Sequence, residues 1–253
     1  MPGPVKTADG SITRRAGLAL LMLPVLARAG APHAGSAAEL GLDTPTPPLA
    51  AHYRVTITPA RHGPAVQVVD WYFYRDAERI ALLKGAIDET WRRDAQGRVG
   101  FQRTFHEHAR VTDYSPGELA TLAVPVDWAA LATFIDARDL AALPLRGHSG
   151  AGAQRQIRLQ GPLAGDSLQI DWLPALQLPA RVQRLARDGT RTQMRLLQHA
   201  STAPAAWPQP DQRAANYLHL DAADFGDMDY EPVVRLSEAL DQRSGWRRPH
   251  AHD

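Results

Sequence analysis

The chain has 253 residues, 44% of them hydrophobic, and a formal net charge of +1 at neutral pH. That length suits one domain with a sizeable core, and a balanced charge with no basic domain or stripe argues against nucleic acid as a partner. With no cysteine, the chain can carry no disulfide, thiolate metal site, thiol nucleophile, CxxCH haem attachment or lipidated N-terminal cysteine.

The N-terminus reads as an export signal. Residues 1–13 are polar, Arg14 and Arg15 follow, and 16–26 is an apolar run of eleven residues. Crossing ~30 Å of hydrocarbon takes ~20 residues, so the run is too short to span a membrane but suits a signal h-region. Ala27-Arg28-Ala29 then offers small residues at both positions a signal peptidase reads. Cleavage is expected before Gly30. The order Thr13-Arg14-Arg15-Ala16-Gly17-Leu18 resembles a twin-arginine signal, with Gly17 where a large apolar residue is usual. The expectation is a soluble periplasmic protein with no membrane segment after cleavage. Residues 30–50, rich in Ala, Gly, Pro and Thr, read as a flexible lead-in.

From His52 the hydrophobic period becomes two. Strands are expected at 53–58, at 66–75 with Val69, Trp71 and Phe73 on one face, and at 87–93 with Ile87 and Trp91 together. The turn at 94–97, ending in Gly97, leads to a returning strand at 98–111 that aligns Val99, Phe101 and Phe105. The first half is therefore an antiparallel meander. Short helices follow at 116–122, at 126–135 with Asp127 as N-cap, and at 136–143, stopped by Pro144. The glycine-rich stretch 147–153 reads as a mobile loop. Strands return at 155–160, 167–172, 180–187 and 190–198, the last two joined by Asp188-Gly189. Residues 203–210 form a proline-rich link, and 231–242 reads as a terminal helix with Val233, Val234, Leu236 and Leu240 as its apolar side. The predicted fold is α+β: a curved antiparallel sheet covered by inserted short helices, plus a C-terminal helix. Residues 51–200 form the β domain and 201–253 an appended link and helical segment.

The run Leu168-Gln-Ile-Asp-Trp172, then Leu178-Pro179-Ala180-Arg181-Val182, then Asp188-Gly189 resembles the outer-membrane lipoprotein-sorting (LolA/LolB-like) superfamily. The resemblance covers roughly residues 53–200. It implies an incomplete β-barrel, closed on one side by helices, with an apolar hollow for acyl chains.

Three groups of residues are candidates for a site. Trp71, Phe73, Trp91, Phe101, Phe105 and Trp172 fall on faces expected to point inward, where they either line a hollow for an apolar ligand or fill the core. His106 and His108, two apart on the expected strand, would project to one side and could share a metal ion. Arg110 beside them opposes a cation. His250 and His252 repeat the spacing at the chain end. Asp227, Asp229, Glu231 and Glu238 occupy calcium-loop spacings, but Pro232 stands where that loop needs glycine. No GxSxG, SxxK, HExxH or P-loop motif occurs, so no catalytic residues are assigned and no cofactor is required.

The sequence thus points to a non-catalytic exported carrier for an apolar ligand such as a lipid acyl chain. The alternatives are a metal-associated accessory protein using the histidines, and a module that docks another periplasmic protein through its C-terminal segment.

Overall fold

A computed structural model of the protein describes residues 36–60 and 65–246; the expected signal with Arg14 and Arg15, and His250 and His252, lie outside the described residues. The first meander comprises β1 (Leu49–Thr58), β2 (Gln67–Arg75), β3 (Arg79–Leu83), β4 (Ile87–Arg93), β5 (Val99–Phe105) and β6 (Arg110–Tyr114). Three short helices, α1 (Pro116–Thr121), α2 (Trp128–Thr133) and α3 (Ala137–Ala142), lead into the second meander: β7 (Leu145–Ser149), β8 (Gln156–Leu163), β9 (Asp166–Leu173), β10 (Leu178–Leu185) and β11 (Arg191–Ala200). The chain ends with α4 (Pro210–Arg213), β12 (Leu218–Asp221) and α5 (Pro232–Arg243).

The two meanders are one sheet. Strand β11 returns to pair with β1, giving twelve strands in the order β12-β6-β5-β4-β3-β2-β1-β11-β10-β9-β8-β7. The pairings are antiparallel except that of β12 with β6. The sheet curves without closing, and the fold is α+β as expected. Period two sets its inner face: Tyr53 and Val55, Trp71 and Phe73, Trp91, Phe101 and Phe105, Ile157 and Leu159, Ile170 and Trp172 join one buried cluster with residues of the helices. Turns and caps are local. Gly97 takes a positive φ of 79° and closes the β4–β5 hairpin onto Asp94. Ser115 and Glu118 form a capping box for α1, and Asp127 caps α2 through the amides of Ala129 and Ala130.

The structure departs from the sequence reading at several places. Strand β3 was not anticipated, because Arg79–Leu83 is apolar on both faces: Ile80 and Leu82 face the main cluster, Ala81 and Leu83 a second one on the outer face. A strand covered on both sides shows no alternation. The expected strand 98–111 is two strands. They are separated by a 3-10 turn at His106–His108, with Ala109 in the left-handed region at φ 49°. Residues 147–153 are in part edge strand β7, paired with β8. The lead-in is held rather than free over 36–48: Leu40 is buried, its carbonyl accepts from Trp172 Nε1 at 2.9 Å, and Gln177 Nε2 donates to Gly41 O and Thr44 O.

Of residues 201–253, expected as an appendage, the described part, 201–246, joins the same sheet through β12. To reach β6 from β11, residues 201–217 cross the outer face as a belt. Trp207 packs on Tyr72 and His52, Tyr74 donates its hydroxyl to Pro208 O, and Asp211 accepts from Arg79 at 2.8 Å and Arg92 at 2.5 Å. The last helix keeps most of its expected face: Val233 and Val234 are buried and Leu240 packs against the core, but Ser237 and Asp241 are buried with them and Leu236 is 39% exposed.

Candidate functional site

The inner face has a sealed end and an open end. At the sealed end α1, α2 and α3 cross between the meanders, and Phe134 after α2 packs on Tyr53 and Phe73, 4.3 Å from the latter ring. Arg75, at the end of β2, ties this end together. Its Nε donates to Pro47 O at 2.9 Å, Nη1 to Ala132 O at 2.5 Å and Gln177 O at 3.2 Å, and Nη2 to Leu176 O. One side chain thereby joins the lead-in, α2 and the β9–β10 turn. All four acceptors are main-chain carbonyls, so burial, unopposed by a bonded carboxylate, lowers its pKa to about 10, with Tyr53 working weakly the other way. It remains a cation at neutral pH.

At the open end the apolar lining continues but is incompletely covered. Ile57 on β1, Val69 on β2 and Ile87 on β4 are half-buried and pack against the main cluster. Two ion pairs flank them: Lys84 Nζ to Glu89 Oε2 at 2.8 Å, and Arg184 Nε to Asp166 Oδ2 at 2.5 Å.

The six aromatics singled out in the sequence all lie on the inner face and are all buried. Trp91 and Phe101 pack with ring centroids 4.4 Å apart, and Trp246, beyond α5, meets both edge-on. The indole Nε1 of Trp71 is buried with no hydrogen-bond partner, an uncommon state for a buried tryptophan.

Between these aromatics runs a row of alternating charge that the sequence reading missed. From Lys84 it passes to Glu89, whose Oε1 lies 3.8 Å from Arg103 Nε, and then to Asp241 on α5, whose Oδ1 accepts from Arg103 Nη1 at 2.9 Å. Arg103 is 1% and Asp241 0% exposed. Tyr114 donates its hydroxyl to Asp241 Oδ2 at 2.9 Å, and Ser237 bonds Thr112 across the same contact. Burial pushes the Glu89 carboxyl up, but Lys84 and Arg103 outweigh it and hold the group below the usual carboxylate range. Burial pushes the Tyr114 hydroxyl up. The row locks α5 onto β5 and β6. A signal for it was present: Arg103 stands between Phe101 and Phe105, both inward by parity, so it must itself point inward and find an acid.

The histidine pair is corrected. His106 and His108 sit on a 3-10 turn, not a strand, so they do not share a strand face. His106 faces outward, its Nε2 2.6 Å from Asp88 Oδ2 and its Nδ1 3.2 Å from the Tyr217 hydroxyl, while His108 is exposed. Asp88 also accepts from Arg213 of the belt at 2.7 Å. These contacts fasten the belt. Asp227, Asp229 and Glu231 precede α5, which carries Glu238. Among the described residues no group of three or more His, Cys, Asp or Glu is placed to hold a metal ion, and none of the helices is long and apolar enough to cross a membrane.

No family model and no curated protein matches the sequence. The structural neighbours include LolA-superfamily proteins. One, a LolA superfamily protein from Nitrosomonas europaea, shares 9% identity over 68% of this chain and 92% of its own, with a TM-score of 0.32. MucB in complex with MucA(peri) shares 13% over 69% and 56%, at 0.37. PNGF-II shares 10% over 72% of this chain, at 0.34, and this chain spans only 33% of its length.

Proposed function

We propose that this protein is an exported, non-catalytic carrier, working in the periplasm, that holds an apolar ligand with a long acyl chain against the inner face of the sheet. The supporting observation is the continuity of that face along β1 and β2. There the apolar lining runs from the buried Phe73, Trp71 and Tyr53 through Val55 to the half-covered Val69 and Ile57 at the open end, while on β4 and β5 the charged Glu89 and Arg103 interrupt it among Ile87, Trp91, Phe101 and Phe105. Entry would proceed at that end, between the Lys84–Glu89 and Asp166–Arg184 pairs, with the short helices and α5 shifting over the sheet to admit the chain. Burial supplies the affinity: each CH₂ contributes ~0.8 kcal/mol, so ~14 carbons give about 11 kcal/mol, against which stand the costs of association and ordering.

The test is titration of the protein with a fluorescent long-chain fatty acid. Saturable binding is expected, and Val69→Glu, at the half-covered rim, should weaken it at least tenfold while leaving the melting temperature within a few degrees. Absence of saturable binding by the unaltered protein, or indifference of the affinity to Val69→Glu, would overturn the reading.

A further inference from the structure

The outer face of the second meander carries an arrangement that neither folding nor ligand carriage requires. The strand registers align Arg158 on β8, Asp171 on β9, Arg181 on β10, Arg195 on β11, Arg54 on β1 and Asp70 on β2 into one continuous row. Strands lie ~4.8 Å apart, so the row extends about 24 Å. The acids engage its flanks: Asp171 accepts from Arg158 Nε at 2.8 Å, and Asp70 from Arg54 Nε at 2.9 Å and Nη2 at 3.2 Å. The middle is left with Arg181 directly opposite Arg195, and the described residues give neither an ion pair. Arg181 Nε is buried without a hydrogen-bond partner. Like charges placed opposite each other destabilise a sheet.

A second row runs alongside, Gln160, Gln169, Gln183, Gln193, Thr56 and Val68. Next to it come Ser167, Leu185, Arg191 and Thr58. The result is a grid of guanidinium and amide groups on a face where Arg54, Arg158, Arg191 and Arg195 are exposed. The belt passes the other way, over β1 to β5, and leaves the grid uncovered. Large apolar side chains stand exposed at its border: Val68 at 59%, Leu185 at 42%, and Leu197, two residues beyond Arg195, at 40%.

We infer that this face docks on a membrane surface bearing anionic phospholipid headgroups. Guanidinium groups bind phosphate in a bidentate fork, and the Arg181–Arg195 couple, backed by the amides of Gln183 and Gln193, offers such forks, because Asp171, opposite Arg181, is engaged by Arg158. The bordering Val68, Leu185 and Leu197 favour a lipid interface over an acidic polypeptide, because they gain by entering the headgroup layer. The two rows contain no aromatic side chain on which a nucleobase would stack. The inference stands apart from the carrier reading, since the face is opposite to the inner one.

The test is sedimentation of the full chain with phosphatidylglycerol–phosphatidylcholine vesicles, and with phosphatidylcholine vesicles alone. Binding to the anionic vesicles should exceed binding to the neutral ones and fall as salt rises. The double variant Arg181→Gln, Arg195→Gln should weaken it about thirty-fold, whereas Arg98→Gln, an exposed arginine at the β4–β5 turn, should not. The double variant should melt no lower than the original, because the removed pair is repulsive, and Arg98→Gln should melt within a few degrees of it, because the ion pair it removes with Asp94 is exposed. Equal binding of the double variant and the original, equal binding to neutral vesicles, or binding to soluble polyglutamate with none to vesicles would each overturn the inference.

Discussion

Replacing Asp241 with alanine should release α5 from the sheet. Asp241 is fully buried and holds both Arg103 Nη1 and the Tyr114 hydroxyl at 2.9 Å. Removing one partner of a buried ion pair leaves the other charge uncompensated, at a cost of about 3–5 kcal/mol. Arg103 retains Glu89, 3.8 Å from its Nε, so the lower end applies, about 3 kcal/mol. For a domain of this size each kcal/mol moves the melting temperature by ~2–4 °C, which gives a fall of about 6–12 °C. Hydrogen exchange should locate the effect, with amides of Pro232–Arg243 losing protection before those of the central strands. The double variant Arg103→Met, Asp241→Leu, which removes both charges and restores apolar volume, should recover most of the loss. A single variant that melts within 2 °C of the original, or a double variant no better than the single, would refute the reasoning.

Three further outcomes follow from the same contacts. Arg75→Met leaves four carbonyls without their donor and should cost about 3–5 kcal/mol, measured by urea unfolding. Trp207→Ala removes the belt's main apolar anchor on His52 and Tyr72; it should cost about 3 kcal/mol and expose residues 201–217 to limited proteolysis while the sheet persists. Glu89→Gln tests the charge row. The folded-state pKa of Glu89 lies below its ordinary value because Lys84 and Arg103 outweigh burial, so the ionised group contributes stability that is complete above the unfolded value of ~4.3 and lost as pH falls through the folded one. The variant should therefore melt lower than the original at pH 7, and the gap should close on acidification below pH ~4.

Much of the architecture was legible because alternation survives wherever one face of a strand is wet. The inward positions of Trp71, Phe73, Trp91, Phe101, Phe105 and Trp172 follow from period two alone, and Asp127 announces its helix by chemistry. What was missed lacked such contrast. Strand β3 is apolar on both sides because the belt covers its outer face, and β12 is a four-residue strand, Leu218–Asp221, whose place is set by a distant partner, β6. The turn that carries His106 and His108 ends on a left-handed alanine at position 109, a conformation that composition does not advertise. The terminal helix has its expected apolar side at Val233, Val234 and Leu240 but not at Leu236, because Ser237 and Asp241 take the remaining buried positions, with partners Thr112, Arg103 and Tyr114 more than a hundred residues away. Polar burial is a pairwise property, and a single segment shows only half of each pair.

The central claim, carriage of an apolar ligand, is tested most directly by native mass spectrometry of the protein purified gently from periplasm. The account predicts an adduct of a few hundred daltons that organic solvent releases and fragmentation identifies as an acyl-chain lipid. A bare protein mass under conditions that preserve a known lipid–protein complex, or an adduct of tens of daltons that a chelator removes, would contradict it.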